Sequence, residues 1–289
     1  MGKVFVAVLS GIADGATYGL TALAIVLVYK ATRVLNFGQA EIGTVAIYIE
    51  WELWRLHVPV YLALVVALAL AALLGSGLEF VLRPLAGAPR LTVTVATLGL
   101  ATMLGGLQLY YFHTDPHIAP GLVQGNLFTL ADVNFTAGRV LALVVTAGLG
   151  FALYLFFKRT LFGLGVLAAA QDQKALRLMG LPLNLVSSFT WASGAVLSAI
   201  AGVILAPNIG AFTPFFITIN VLIPGLAAAL VGGLTSLPGA FVGGVVVGVT
   251  EKFAQFYLPT VPGAEYVAIF ILIIGVLLFK PNGLLGAEA

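Results

Sequence analysis

The chain has 289 residues, 61% hydrophobic and 8% charged, with a mean hydropathy of +1.12 and a formal net charge of +2. Soluble domains carry about 25% charged residues, so this chain cannot cover a water-facing surface. Its small basic excess fits orientation in a membrane rather than nucleic-acid binding. The absence of cysteine excludes disulfides and thiol chemistry.

The apolar runs show no period-two alternation, which excludes a barrel. The expected fold is all-α, a polytopic membrane bundle of about eight or nine spans with broken or re-entrant segments. The first stretch, 4–29, is too long for a signal-peptide core and reads as a retained span. Gly11, Gly15 and Gly19 form a row along it that suits close helix packing. Asp14 falls near its middle and shares a face with Tyr18 and Thr21, with Thr17 close by. That face reads either as pathway lining or as an interhelical hydrogen-bond site.

Next comes "VLNFGQAEIG" (34–43), where Asn36, Gln39 and Glu41 interrupt an otherwise apolar sequence. One reading is helix-start chemistry. Asn36 is a good N-cap, Gln39 three residues on resembles a capping box, and Glu41 complements the helix dipole. The other is a substrate pathway. Glu41, Thr44 and Tyr48 follow i, i+3, i+7 and run one polar stripe into the expected span 37–54. Charges inside spans usually face a cavity or partner. A broken helix with a free N-terminus also meets carboxylate substrates, while Glu41 meets an ammonium or an internal base.

Further spans are expected at 60–82 and 93–112, the latter with Thr94 and Thr97 as interhelical hydrogen-bonding positions. The longest external segment is 113–138. Its "HTDPH" offers His113, Asp115 and His117 as possible metal ligands, but Pro116 and Pro120 favour a plain loop, and no metal site is expected. Spans at 140–157 and 185–206 flank the longest cytoplasmic segment. There 168–179 reads as a short amphipathic helix stopped by Gly180 and Pro182. It carries Gln171, Asp172, Lys174, Ala175 and Leu176 and suits docking into a groove. Spans at 219–233, 239–257 and 264–279 complete the chain, with Glu251 and Lys252 expected at the membrane interface. "GGLTSLPG" (232–239) reads either as a cytoplasmic turn or as a break in a re-entrant pair. The Gly-rich regions 30–43 and 232–248 are the candidate halves of an inverted repeat.

If these spans alternate, Lys30, Arg33, Arg83, Arg90, Lys158, Arg159, Lys174, Arg177 and Lys280 share one side, and Lys3, Arg55, Arg139 and Lys252 the other. The positive-inside rule then places the N-terminus outside and the C-terminus in the cytoplasm. No GxxxxGK[ST] occurs, so ATP dependence requires a partner.

Five stretches together resemble the LivH-type permease subunits of branched-chain amino acid ABC importers along essentially the whole chain. "LNFGQAE" (35–41) is similar to the family's "INFAHGE"-like motif, with Gln39-Ala40 in place of His-Gly. "LRPLAGAPRLTVTVATLG" (82–99), "AAAQDQKALRLMGL" (168–181, with Gln171 in place of Glu), "VGGLTSLPGAFVGG" (231–244) and "KPNGLLG" (280–286) follow at matching spacing. The resemblance implies a single permease domain, 1–289, in the bacterial inner membrane, with a cytoplasmic coupling segment at 160–184. It implies no enzyme activity and no cofactor. The implied partners are membrane lipid, a second, LivM-type permease, two cytoplasmic ATPases and an extracytoplasmic solute-binding protein. The implied cargo is a branched-chain, hydrophobic amino acid. Urea or short amides, carried by relatives, are the alternative cargo. A self-contained secondary transporter using Glu41 and Asp14 for ion coupling is the competing class, a membrane-embedded enzyme a distant third, and the capped cytoplasmic helix favours the importer.

Overall fold

The computed structural model describes residues 2–85, 87–123, 125–130, 133–171 and 182–286. Its helices are α1 (Gly2–Thr32), α2 (Gly38–Arg55), α3 (Val60–Leu82), α4 (Arg90–Phe112), α5 (Ala137–Arg159), α6 (Leu161–Gln171), α7 (Leu183–Ile209), α8 (Ile223–Gly232), α9 (Leu237–Tyr257) and α10 (Ala264–Phe279). A π-helical turn, Thr218–Leu222, leads into α8. Six helices are long and apolar enough to cross a membrane: α1, α3 with its 3-10 extension to Leu85, α4, α5, α7 and α9. The protein is therefore a multi-pass helical membrane bundle. One departure from an all-α chain lies between α4 and α5, where β1 (Asn126–Leu130) and β2 (Val133–Thr136) pair antiparallel.

Burial orders the layers. The most apolar window of α1 is 89% buried and that of α7 72%, against 22% for α3 and 17% for α5. Thus α1 and α7 form the centre, while α3 and α5 turn most of their surface outward to lipid. On α3 the buried positions Ala63, Ala67, Ala71, Gly75 and Glu79 form an i+4 row, and Leu82 is buried at the end of the helix beside Trp191. At the Gly75 position a Cβ would lie 2.7 Å from the Trp191 carbonyl oxygen and from Ala195 Cβ of α7.

The closest pairing is α1 with α9. Gly11 faces Gly248 and Val249, Gly15 faces Gly244 and Val245, and Gly19 faces Ala240 and Phe241, an antiparallel register. A Cβ on Gly15 would stand 2.5 Å from the Gly244 carbonyl oxygen. Lipid gives helices no hydrophobic reason to associate, so contact at backbone distance, open only to glycine, supplies the dispersion energy that holds this pair.

Two interruptions lie inside the bundle. After α1 the chain breaks at 33–37, with Arg33 at φ 58, and restarts as α2. Along α2, Gln39, Gly43 and Ile47 lie beside Gly194, Ser198 and Gly202 of α7, so the two helices run parallel. Gly194 is eleven positions past Leu183, so α2 starts roughly 16 Å in from the α7 N-terminus at about 1.5 Å per residue. At its other end α7 stops at Gly210, and the chain re-enters until Ile217 packs on Gly43 and Gly202. The π-helical turn follows directly before Pro224, which has no N–H to close an ordinary turn.

A second interruption is 210–217. The Gly-rich region 232–248 also contains a break, a turn at 233–236 with Gly233 at φ 107 and the Ser236 hydroxyl accepting from Gly239 N (3.0 Å) to cap α9. The segment 280–286 closes over that turn: Leu284 N donates to the Val231 carbonyl (2.8 Å) and Leu285 N to that of Gly232 (3.1 Å).

The α1–α9 contact makes a direct prediction. Gly15→Ala should destabilise the detergent-solubilised protein by about 1–3 kcal/mol through overpacking. Gly106→Ala, where a Cβ meets nothing within 4 Å, should leave the melting temperature unchanged. Equal melting temperatures for the two variants would contradict the packing assignment.

Candidate functional site

The interruptions meet at Glu41. It stands in the first turn of α2 and is fully buried. Gln108 Nε2 on α4 donates to its carboxylate (3.0 Å) and to its backbone carbonyl (3.3 Å), and the Thr218 hydroxyl donates to its other carboxylate oxygen. One turn on, the Thr44 hydroxyl donates to the Ala40 carbonyl (3.4 Å) and accepts from Ile217 N (3.2 Å). Tyr48 stacks on Phe112 at 3.9 Å between ring centroids and meets Phe212 edge-on at 4.8 Å. The stripe Glu41–Thr44–Tyr48 is thus one face, and it fastens α2 to α4 and to the re-entrant segment 210–218. No ion pair among the described residues includes Glu41, so the internal base anticipated for it is replaced by neutral donors.

The capping scheme fails. Phe37, not Asn36, occupies the N-cap, in helical geometry and with no side-chain cap. Asn36 and Gln39 are buried, and their side-chain polar atoms have no hydrogen-bond partner among the described residues. The physical reason is a competitor from α4. The Thr97 hydroxyl accepts from Phe37 N (3.2 Å) and contacts the carbonyl oxygens of Leu35 (3.1 Å) and Thr94 (2.7 Å), so it bridges the interruption that a local cap would have closed. Thr97 is the interhelical group its position suggested.

Asp14 belongs to a different place. Its carboxylate lies 2.8 Å from Lys252 Nζ on α9 and 3.8 Å from Arg139 Nε on α5. These groups, with Tyr18, Glu251, Asn208 and Asn220, border a cavity of about 240 Å³. Lys252 is thus paired across the α1–α9 contact, its side chain 17% exposed. Thr21 turns from the cavity to α8, where a Cβ on Gly225 would lie 2.7 Å from its methyl group. The structure keeps Asp14 and Tyr18 apart from Glu41, whose partners are on α4 and the π-helical turn.

In "HTDPH" the three residues diverge. His113 and Asp115 are exposed, and His117 packs among Tyr48, Trp51, Phe112 and Phe212. Among the described residues no group of three or more His, Asp or Glu is placed to hold a metal ion. Of the coupling residues, Gln171 ends α6. Asp172, Lys174, Ala175, Leu176 and Gly180 lie outside the described residues.

Residues 7–277 match the family model described as "Branched-chain amino acid transport system / permease component". The chain belongs to that family. The match runs from α1 into α10 and includes both interruptions. The chain is 31% identical to the high-affinity branched-chain amino acid transport system permease protein BraD of Pseudomonas aeruginosa, over 96% of this chain and 94% of that protein. It is 29% identical to the permease protein LivH of the same kind of system in Escherichia coli K12, with the same coverage. A probable branched-chain amino acid transport permease protein LivH of Methanocaldococcus jannaschii is 28% identical over 93% of this chain and 88% of its own length. As a member of this permease family the chain is a transport component rather than an enzyme, and it resides in the cell membrane.

Three polar residues of the permease interior escape a reading of the sequence. Gln108 and Thr218 hold Glu41, and Glu50 is fully buried with neither carboxylate oxygen hydrogen-bonded among the described residues. For Glu50 a signal existed: it follows Ile42 and Ala46 at i+8 and i+4, and both belong to the core shared with α3 and α7. Neighbouring Glu52, by contrast, is paired with Arg55 (2.5 Å).

The different surroundings of the two buried acids predict different mutational responses. Glu41→Ala removes the carboxylate that accepts from Gln108 and Thr218 and should cost about 1–3 kcal/mol. Glu50→Gln removes no hydrogen bond and should leave stability equal or higher. Unfolding titrations of the solubilised protein check both. An indifferent Glu41→Ala variant would contradict the bonding described at α2.

Proposed function

We propose that this chain is a permease subunit of an ATP-binding-cassette importer. It forms part of the translocation pathway for branched-chain, hydrophobic amino acids delivered by a solute-binding protein. The observation that carries this reading is the family match along 7–277, together with the branched-chain amino acid transport systems to which relatives aligned over nearly the whole chain belong. The partners are two cytoplasmic ATPases, since the chain has no P-loop motif, an extracytoplasmic solute-binding protein, and a second, LivM-type permease.

In this reading Asn36, Gln39, Glu41, Thr44 and Tyr48 form one stretch of the pathway wall and Asp14 with Tyr18 another. Support comes from the junction of two interrupted elements, because irregular backbone at membrane depth is tolerated where it is buried in protein or lines a cavity. The hairpin end of the bundle faces outward, the end bearing 280–286 faces the cytoplasm, and 160–184 is the coupling segment of a single permease domain. The nine-to-four partition of the basic residues supports that orientation.

Two experiments test this. Leu176→Asp places a charge in an apolar docking contact, so uptake of leucine into vesicles bearing the assembled transporter should vanish and co-purification of the ATPases should weaken, while membrane insertion persists. Normal uptake would remove 160–184 from the coupling role, and uptake of urea or acetamide in place of leucine would replace the cargo. For orientation, a cysteine at Gly125 should react with an impermeant maleimide in intact cells, and one at Gln173 only after permeabilisation. The reverse pattern would invert the topology.

A further inference from the structure

The cavity around Asp14 adjoins a second, of about 420 Å³. Asn208 belongs to both walls, and the boundary runs between Gly138 and Arg139 on α5 and between Ile204 and Leu205 on α7. The two differ in chemistry. The first is bordered by two acids, Asp14 and Glu251, and two bases, Arg139 and Lys252. The second carries no charged side chain among its described lining residues and is bordered by Leu122, Leu141, Val203, Ile204 and Pro207, with Asn126 and Thr136 as its polar members beside Asn208. Asn208 is held in place between them: its amide donates to the Ile204 carbonyl (2.7 Å), and its side-chain oxygen lies 3.2 Å from the Thr136 hydroxyl.

We propose that the two cavities together form a subsite for the free zwitterion of a hydrophobic α-amino acid, with the charged head beside Asp14 and Lys252 and the side chain beyond Asn208. This rests on the importer reading and adds a location and a recognition rule. Among the described lining residues two acids and two bases balance, so a ligand of zero net charge keeps that balance, whereas a singly charged one leaves an uncompensated charge within the bundle. The ammonium takes the acid side, where Glu251 Oε2 is buried without a hydrogen-bond partner among the described residues. The carboxylate takes the Lys252 and Arg139 side. The Asp14–Lys252 contact (2.8 Å) is exchanged for two ligand contacts of the same sign pairing. A phosphatidylethanolamine head also joins an ammonium to an anion, so it is the competing source of this chemistry.

The test uses the assembled transporter in phosphatidylcholine nanodiscs without nucleotide. The chain has no cysteine of its own, so Asn208→Cys and, separately, Ile219→Cys on the polar cavity report on this chain when maleimide labelling is read by mass spectrometry. L-Leucine should slow labelling at least fivefold at both positions. Leucinamide, which lacks the carboxylate, and 4-methylpentanoate, which lacks the ammonium, should not at equal concentration. In either cysteine background, Asp14→Asn or Lys252→Met should raise the half-protecting leucine concentration tenfold or more. Equal protection by all three compounds overturns the proposal, as does protection that appears with phosphatidylethanolamine and is not increased by leucine. No leucine protection at either position, in a transporter whose unsubstituted form takes up leucine, overturns the subsite and leaves the importer reading intact. Failure of that unsubstituted form to take up leucine is the separate failure of the importer reading.

Discussion

Backbone N–H and C=O groups released by a broken helix inside a bilayer have no water to turn to, and each one left bare costs several kcal/mol. That constraint shapes the centre of this permease. At 33–37 the freed groups of Leu35 and Phe37 reach the Thr97 hydroxyl. At 210–217 the freed Ile217 N–H reaches the Thr44 hydroxyl. Each interruption is thus bridged by a threonine on another element, and Glu41 lies between the two, bonded to α4 on one side and to the start of the π-helical turn on the other. Neither interruption could exist without the other elements already in place.

The glycine contacts supply the rigidity such an arrangement needs. Backbone approach between α1 and α9, and between Gly232 and Gly239 across the α8–α9 turn, leaves no room for sliding by even one methyl group. Interiors packed this closely respond as units rather than by local yielding. A displacement of the turn is therefore carried into α1, and α1 has Asp14 on the face that borders the charged cavity.

Much of the fold was legible because it depends on quantities local to the sequence. Apolar length alone located α3 at 60–82 and α10 at 264–279 to the residue, and the period-3.6 spacing placed Glu41, Thr44 and Tyr48 on one face. What failed depended on neighbours distant in sequence. Asn36 lost the cap to Thr97, which lies 60 positions from Phe37. The pairing of Lys252 with Asp14 of α1 likewise joins residues far apart in the chain. Glycine density could not separate a chain break, at 233–236, from a tight helix contact, at 239–248, because the same residue serves both. Gln108 looks unremarkable in sequence because its burial is decided by the helix that packs over it.

The strap formed by 280–286 also sets an order in time. Leu284 reaches the Val231 carbonyl across 53 positions of sequence (284 − 231). At a synthesis rate of roughly 5–20 residues per second, the carbonyls of Val231 and Gly232 wait some 3–10 s for these amides after they leave the ribosome. During that interval α8 and α9 are joined by their glycine contact and by the local hydrogen bonds of the Gly233–Ser236 turn. The turn between them is the last part of this interior to gain its permanent partners, so assembly with other subunits before that moment would meet a surface still unfinished.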